Sequence, residues 1–553
     1  MTTRIEELLP ELQAIISGEV STNNEDIVAM SRDTSIFEIA PQAVIFPKNA
    51  DDVRAVVKFV HDKKAAGVDI AITARSAGTD MTGGPLSPSL IMNFTKYMNH
   101  IGAIENEHAI TEPGVFYRDF EKETLKNGMI LPSYPASREL CAMGGIVNNN
   151  SGGERTLAYG KTERYVEELS VVLSDGSPVV FRPLTTPELA AKEAQQDLEG
   201  EIYRRTHALI EAHYDEIMSA KPKVTKNSSG YALWNVYDKE RGIFDLTKLV
   251  VGAQGTLAMM TQARLRLVRP KEHRAMLVIF LSELSHLPDI VHRVLALQPE
   301  SFESYDDKTF SLAVRFLPSI MKNMGLRKMF SLGVSFLPEL WTVMTGGIPK
   351  LVLMAEFAEE TPAAALEKAR SAMRALADLP IRTRIAKNEA EEEKYWTVRR
   401  ESFSLLRKNL HGLHASPFID DLVVTPDKLP EYLPELNALL KQYDLIYTIA
   451  GHVGDGNFHI IPLMDLADPK ARAIILELTP KVYELTVRYG GSISGEHNDG
   501  IIRTPYLPLM FGEKISELFA EVKQTFDPLN IFNPKKKVGG SIEDILVNMI
   551  THP

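Results

Sequence analysis

The stretch from Cys141 to Gly153 reads Cys-Ala-Met-Gly-Gly-Ile-Val-Asn-Asn-Asn-Ser-Gly-Gly, and it restricts the chain more than any other feature. Three asparagines between two glycine pairs are too polar and too flexible for a core segment. Ile146 and Val147, inside the same run, are out of place in a plain surface loop. A segment wrapped around a large polar ligand accounts for both. A second run, Arg75-Ser-Ala-Gly-Thr-Asp-Met-Thr-Gly-Gly84, lies between predicted strands at 69–74 and 90–94. Gly78, Gly83 and Gly84 allow close backbone approach there, and Ser76, Thr79 and Thr82 add hydroxyls. Such a loop can nest a pyrophosphate through its backbone N–H groups. No Gly-x-Gly-x-x-Gly stands between a strand and a helix, so a nicotinamide-type Rossmann site is disfavoured.

The surrounding pattern is that of a mixed α/β start. A strand at 43–47, a helix at 51–64 carrying Val53, Val56, Val57 and Val60, and the two strands above follow in order. A helix at 116–127, a hairpin at 169–180, helices near 186–197 and 200–220, and two short strands within 249–268 continue it. The 553 residues are too many for one core, so several domains are expected. Pro270-Lys-Glu-His-Arg274 marks a boundary. Beyond it come strands at 275–281, 351–357 and 418–424, and helices near 361–378, 388–409 and after Pro426. The apolar segment 310–350, with Phe316, Met321, Met324, Met329, Phe330, Phe336 and Trp341, reads as packed core or a homodimer face. A membrane or quinone-contact surface is the sharper alternative. No uninterrupted run of ~18–20 apolar residues predicts a membrane span.

Charge and cysteine content exclude further classes. The formal charge of −12 argues against nucleic acid as partner. A single cysteine, Cys141, can form no internal disulfide and cannot supply the four thiolates of a typical iron–sulfur cluster. The N-terminal Met-Thr-Thr-Arg-Ile-Glu-Glu lacks the basic and apolar regions of a signal peptide. Cytoplasmic localisation is expected, with peripheral contact at the inner membrane face left open.

A third feature is Gly451-His-Val-Gly-Asp-Gly-Asn-Phe-His459. With Gly454–Asn457 as a four-residue turn, His452 and His459 are predicted to stand directly opposite each other on one sheet face. Two imidazoles so placed can converge on a metal, and Glu496 in Gly495-Glu-His-Asn498 offers a carboxylate as third ligand.

These motifs, in this order, resemble the FAD-binding oxidoreductases of the vanillyl-alcohol oxidase type. The branch most like this chain holds flavin-dependent D-lactate dehydrogenase, the flavoprotein component of glycolate oxidase, and D-2-hydroxyglutarate dehydrogenase. The resemblance implies an α+β chain: a two-subdomain FAD-binding domain at 1–270, a cap domain with a helix-flanked antiparallel sheet at 271–490, and a C-terminal return at 491–553. It assigns contacts to non-covalent FAD to Arg75, Ser76, Ala77, Gly78, Thr79, Asp80, Thr82, Gly83, Pro135, Ser137, Ala142, Gly144, Gly145, Asn149, Asn150, Gly153, Gly255, Thr256 and Asn533. It further implies a divalent metal (Zn, Mn or Fe) on His452, His459 and Glu496, with His497 as catalytic base and Arg399 holding a substrate carboxylate.

The implied reaction is oxidation of a small D-2-hydroxy acid such as D-lactate. Electrons would leave to a quinone or a separate protein. Relatives acting on the dicarboxylate have Asn and Lys where this chain has Ile461 and Ile419, which favours a smaller substrate. Lys535 replaces a usual glycine, and the third flavin motif has Ala253-Gln254 for the usual Ser-Glu. A flavin-dependent transferase of alkyl-dihydroxyacetone-phosphate-synthase type and a non-catalytic electron-transfer protein are the alternatives. The intact Glu496-His497 argues against the second.

Overall fold

In the computed structural model, residues 5–309, 348–409 and 412–551 are described. The apolar stretch from Phe316 to Trp341 lies outside them. The first sheet runs in the order Glu19–Ser21, Ala43–Phe46, Leu90–Asn93, Ile72–Arg75. Its last three strands are parallel, as crossover connections require. Helix Ala50–Ala65 buries Val53, Val56, Val57 and Val60 against it. The second sheet is antiparallel, ordered Ile101–Glu105, His108–Thr111, Met259–Arg266, Val166–Val172, Pro178–Phe181. The hairpin expected at 169–180 is its last pair. The two short strands expected within 249–268 are instead one helical turn, Thr247–Val250, and one strand, Met259–Arg266. A short apolar run suits either element, and here the backbone of Gly252 and Gln254 bonds to Val147 and Asn148 rather than to a strand.

The third large sheet is antiparallel throughout: Arg382–Ile385, His273–Leu281, Leu351–Glu359, Ser301–Asp306, Ile446–His452, Asn457–Met464 and His414–Ala415. The expected strand at 418–424 is shorter, Leu422–Val423, and pairs with Asn457–Met464. One face is packed by helices Leu287–Leu295, Pro362–Ala375, Leu429–Leu440 and Pro469–Arg488, whose apolar side chains share a core with Leu277, Ile279, Phe302 and Leu353. The opposite face takes Tyr395, Trp396 and Val398 of helix Glu389–Asn409 against Met276, Val278 and Met354. The helix-flanked antiparallel sheet is therefore present.

The chain then returns to its beginning. Helix Leu507–Phe526 buries Ile515, Leu518, Phe519 and Val522 in the core of the second sheet. Ile72 N donates to Ile531 O, and Thr73 Oγ1 donates to Asn533 Oδ1 at 3.1 Å. No helix among the described residues is long and apolar enough to cross a membrane.

Candidate active site

Gly144 explains how the two glycine-rich segments meet. A Cβ there would lie 2.5 Å from Ser76 Oγ and 2.8 Å from Pro113 O, so only glycine lets helix Met143–Asn148 start beside Ser76. Ser76 Oγ donates to Pro113 O at 3.0 Å. Asp80 organises the loop: its Oδ2 accepts from Thr82 N, Thr82 Oγ1 and Gly84 N, while Oδ1 accepts from Asn149 Nδ2 at 3.2 Å. Arg75 is buried beneath Gly78 and donates to Met30 O and Arg32 O. Thr82, Gly83, Asn150, Gly153 and Thr256 are likewise buried, and the side chains among them are engaged. Asn150 Nδ2 donates to Glu163, and the Thr256 hydroxyl bonds Ala253 O and Tyr231. Ala142 is buried as the residue before the helix, while Pro135 and Ser137 are half-buried on its rim. Gly255 N donates to Asn148 Oδ1 at 3.2 Å. Asn533 Nδ2 donates to Gly84 O and Gln254 O, tying the C-terminal return to both motifs. Lys535, at the usual glycine, holds φ 68°, which accounts for glycine being usual there.

What stays open on this scaffold fits FAD. Among the described residues, the backbone N–H groups of Ala77, Gly78 and Thr79 donate no hydrogen bond. A Cβ on exposed Gly145 would meet nothing within 4 Å. Free donors on one loop beside an open helix start form a cradle for a pyrophosphate. Cys141 is buried and its thiol is pushed up to about 12 by that burial, so it is no nucleophile toward a flavin.

The histidine cluster differs from expectation in register. Asn457 is not in the turn but is the first residue of its strand: it pairs with His452, and His459 pairs with Ala450. The turn is Val453–Asp455 closed by Gly456 at φ 67°, where a Cβ would strike Val424 O. Asn457 is held in the ladder by its Nδ2, which donates to Asp421 Oδ1 and Leu422 O. His452 and His459 are thus diagonal rather than opposed neighbours, still on one face, with ring centroids 5.4 Å apart.

Each imidazole has its Nδ1 against a carboxylate. His452 Nδ1 lies 2.6 Å from Glu303 Oε1, and His459 Nδ1 lies 3.1 Å from Asp420 Oδ1. His497 Nδ1 lies 2.8 Å from Asp420 Oδ2, and its ring stacks on His459 at 5.1 Å. This arrangement leaves the Nε2 atoms as ligands or bases. His452 Nε2 is 3.5 Å from Glu496 Oε1. Among the described residues, Asp421, His459, Glu496 and His497 offer ligand atoms within 4.8 Å of one another. Asp421 is spoken for, since its Oδ2 accepts from Ser494 Oγ and from the backbone N–H of Glu496 and His497. His459, Glu496 and His497 remain, two imidazoles with one carboxylate, a donor set that suits a divalent cation; the expected ligand His452 is not in this converging group.

Positive charge is built in as well. Lys226 Nζ sits 2.5 Å from Glu496 Oε1 and 3.1 Å from Asp455 Oδ2, wholly buried. Burial lowers its pKa, but Asp455 and Glu496 outweigh that and hold the ammonium. Lys537 Nζ donates to Ser228 O and Gly230 O and pairs with Asp499 at 3.0 Å. Arg399, on helix Glu389–Asn409, pairs through Nη2 with Glu303 Oε2. Burial lowers the pKa of His497, but Asp421 and Asp420 outweigh burial and raise it to about 9.

The two halves of the site touch. Asn498 Nδ2 donates to Asn149 O and Gly252 O, and a Cβ on Gly152 would lie 3.3 Å from Glu496 Oε1. Residues 41–182 match the FAD binding domain model, and residues 270–537 match that of the FAD linked oxidases, C-terminal domain. The chain carries both domains of the FAD-linked oxidases. It is 29% identical over 535 residues to the D-2-hydroxyglutarate dehydrogenase of Pantoea ananatis, covering 94% of this chain and 50% of that one. The chain spans about half the length of that relative. With the D-lactate dehydrogenase of Archaeoglobus fulgidus it shares 27% identity over 507 residues, 90% and 93% of the two chains. The solved 4-ethylphenol oxidase of Gulosibacter chungangensis, in complex with isoeugenol, superposes with TM-score 0.68 at 16% identity over 98% of each chain, which shows the vanillyl-alcohol oxidase fold.

Glu303, Asp420, Asp421 and Lys226 were not singled out by the sequence. The adjacent acids of Phe418-Ile-Asp-Asp421, so close to a strand, were the available signal for two of them. Ile419 is fully buried in the hydrophobic core that packs the third sheet. Ile461, two residues beyond His459, shares its strand face.

Proposed function

We propose that this chain is an FAD-dependent dehydrogenase oxidising a small D-2-hydroxy acid, of D-lactate type, to the 2-oxo acid. The observation that carries this reading is the contact of the glycine-rich segment at Asn149 and Gly152 with Glu496–Asn498. It brings the cradle for the flavin beside a base and a metal-ligand set. The chemistry supplied by the bound groups is acceptance of the C2 hydride by FAD and offset of charge on the hydroxyl oxygen by the divalent cation.

The chain's own residues do the rest. His497 takes the hydroxyl proton at Nε2, with Asp420 against Nδ1 fixing the ring. His452, His459 and Glu496 hold the cation, of Zn, Mn or Fe. Arg399 holds the substrate carboxylate, which its planar guanidinium suits. Ile461 puts an apolar side chain on the face where a second acid arm would need a cation. The electron acceptor, a quinone or a separate protein, is part of this proposal, as is the division into FAD domain, cap and return at 270 and 490.

A panel of D- and L-2-hydroxy acids mixed anaerobically with the purified protein tests the reading. D-lactate-like acids should bleach the flavin absorbance. A flavin that no acid on the panel reduces would sink the assignment. Acid denaturation should release the FAD into the supernatant, because Cys141 is buried and protonated and the loop 75–84 holds neither Cys nor His. Flavin that stays with the precipitate would mean a covalent link.

The metal assignment has its own check. His459→Ala should lose most of the bound metal on metal analysis while keeping its FAD. Equal metal in both proteins would place the ion elsewhere.

A further inference from the structure

Glu303 stands between His452 and Arg399, and neither a flavin motif nor a metal motif contains it. It lies on strand Ser301–Asp306, its side chain 1% exposed. Oε1 accepts from His452 Nδ1 at 2.6 Å, and Oε2 pairs with Arg399 Nη2. The strand is paired on both edges, to Leu351–Glu359 and to Ile446–His452, so the carboxylate cannot drift.

We propose that Glu303 is a positioning residue that couples metal binding at His452 to carboxylate binding at Arg399. The inference rests on the reading of His452 as a metal ligand and Arg399 as the substrate cation. A carboxylate facing Nδ1 keeps the ring proton on that nitrogen and leaves the Nε2 lone pair toward Glu496, 3.5 Å away. The second oxygen of the same group fixes the guanidinium. Anything that displaces one partner therefore moves the shared carboxylate and disturbs the other, and by linkage the metal and the acid should each tighten the other's binding.

The chemistry of the amide makes this testable. Glutamine has the size of glutamate but only one acceptor oxygen, with an NH2 donor in place of the other. If its oxygen takes Arg399, its NH2 faces His452 Nδ1. The ring proton must then move to Nε2, which blocks ligation. If its oxygen takes His452, the NH2 opposes the guanidinium. Glu303→Gln cannot serve both partners.

The experiment uses the FAD-loaded protein and two probes. Zn2+ and Mn2+ alone are titrated against a competing chelator. Pyruvate, as product anion, is titrated by its perturbation of the flavin spectrum, with and without metal. Wild type should bind pyruvate more tightly when metal-loaded. In Glu303→Gln, metal affinity should drop by about 10–100-fold, and the metal-dependent gain in pyruvate binding should vanish. Thermal stability is read alongside, since a merely structural role would move it and leave the coupling intact. Unchanged metal affinity in Glu303→Gln, or a coupling that survives, overturns the inference while leaving the site reading in place. A wild type that binds neither metal sinks both. Should Glu303→Gln fail to fold, Arg399→Met decides. It keeps every proposed ligand, yet its metal affinity should also fall several-fold, and an unaltered value overturns the coupling.

Discussion

Replacing His497 with alanine should slow reduction of the bound flavin by about 10²–10⁴-fold, the usual worth of a positioned general base. Binding of the acid should change far less, because His497 acts on a proton in flight and Arg399 holds the carboxylate. Rapid mixing of the hydroxy acid with oxidised enzyme separates the two quantities. The pH profile supplies a second signature. Asp421 and Asp420 hold His497 up to about 9, against the opposing pull of burial. The base form is then scarce at neutral pH, and the reduction rate should rise with pH and level off once the ring has lost its proton. A divalent cation on the neighbouring His459 and Glu496 disfavours a second positive charge and moves that rising limb to lower pH. Asp420→Asn removes one of the two carboxylates and should move it lower still. A wild-type rate in His497→Ala would place the base elsewhere. A limb that Asp420→Asn leaves in place would detach it from His497.

Removing the charge of Lys226 should be the most destabilising single change at the site. Lys226→Met keeps most of the length but leaves Glu496 and Asp455 buried with no ammonium between them. Breaking a buried pair in this way costs about 3–5 kcal/mol. The sign with pH follows from the carboxylate. In the wild type Glu496 is held well below the usual range: burial raises it, and Lys226, then His452, more than offset that. Its contribution to stability is present above the unfolded pKa and is lost as pH falls through the folded one. In the variant Glu496 loses the larger of the charges that offset its burial and takes up a proton more readily, so acid relieves it. The gap in Tm between the two metal-free proteins should be widest near neutrality and narrow toward the ordinary carboxylate range. A gap that is the same at every pH would mean that lost packing, not lost charge, is responsible.

Parts of this site could be read from the sequence because their signals are local. The loop 75–84, the segment around Gly144 and Gly145, and the return through Asn533 each announce themselves within a dozen residues. The diagonal pairing of His452 and His459 was nearly legible. It slipped by two residues because Asn457 looks like a turn residue, while its side chain is spent on Asp421 and Leu422 in the ladder. The partners that fix the ring tautomers were not legible at all. Glu303 meets His452 across 149 residues of sequence, and Lys226 meets Glu496 across 270. An isolated acid on a predicted strand carries no mark that distinguishes it from a solvated one. The same holds for Arg399, to which the resemblance pointed while its pairing with Glu303 stayed hidden. At Lys535 the sequence displayed a departure, and only the backbone angle of 68° shows that the conformation survives it.

The buried ammonium of Lys537 has a consequence for how such a chain is made. Its Nζ reaches back to Ser228 O, Gly230 O and Asp499, and Asn533 bonds Gly84 O and Gln254 O. A ribosome that has already threaded out both nucleotide-cradling loops, the histidine hairpin and Glu496 has still produced an unlocked site. Loading of the prosthetic group before Asn533 and Lys537 are in place would meet loops not yet pinned. Chains cut short ahead of this lysine run should reach the cell intact in their first sheets and yet empty of flavin.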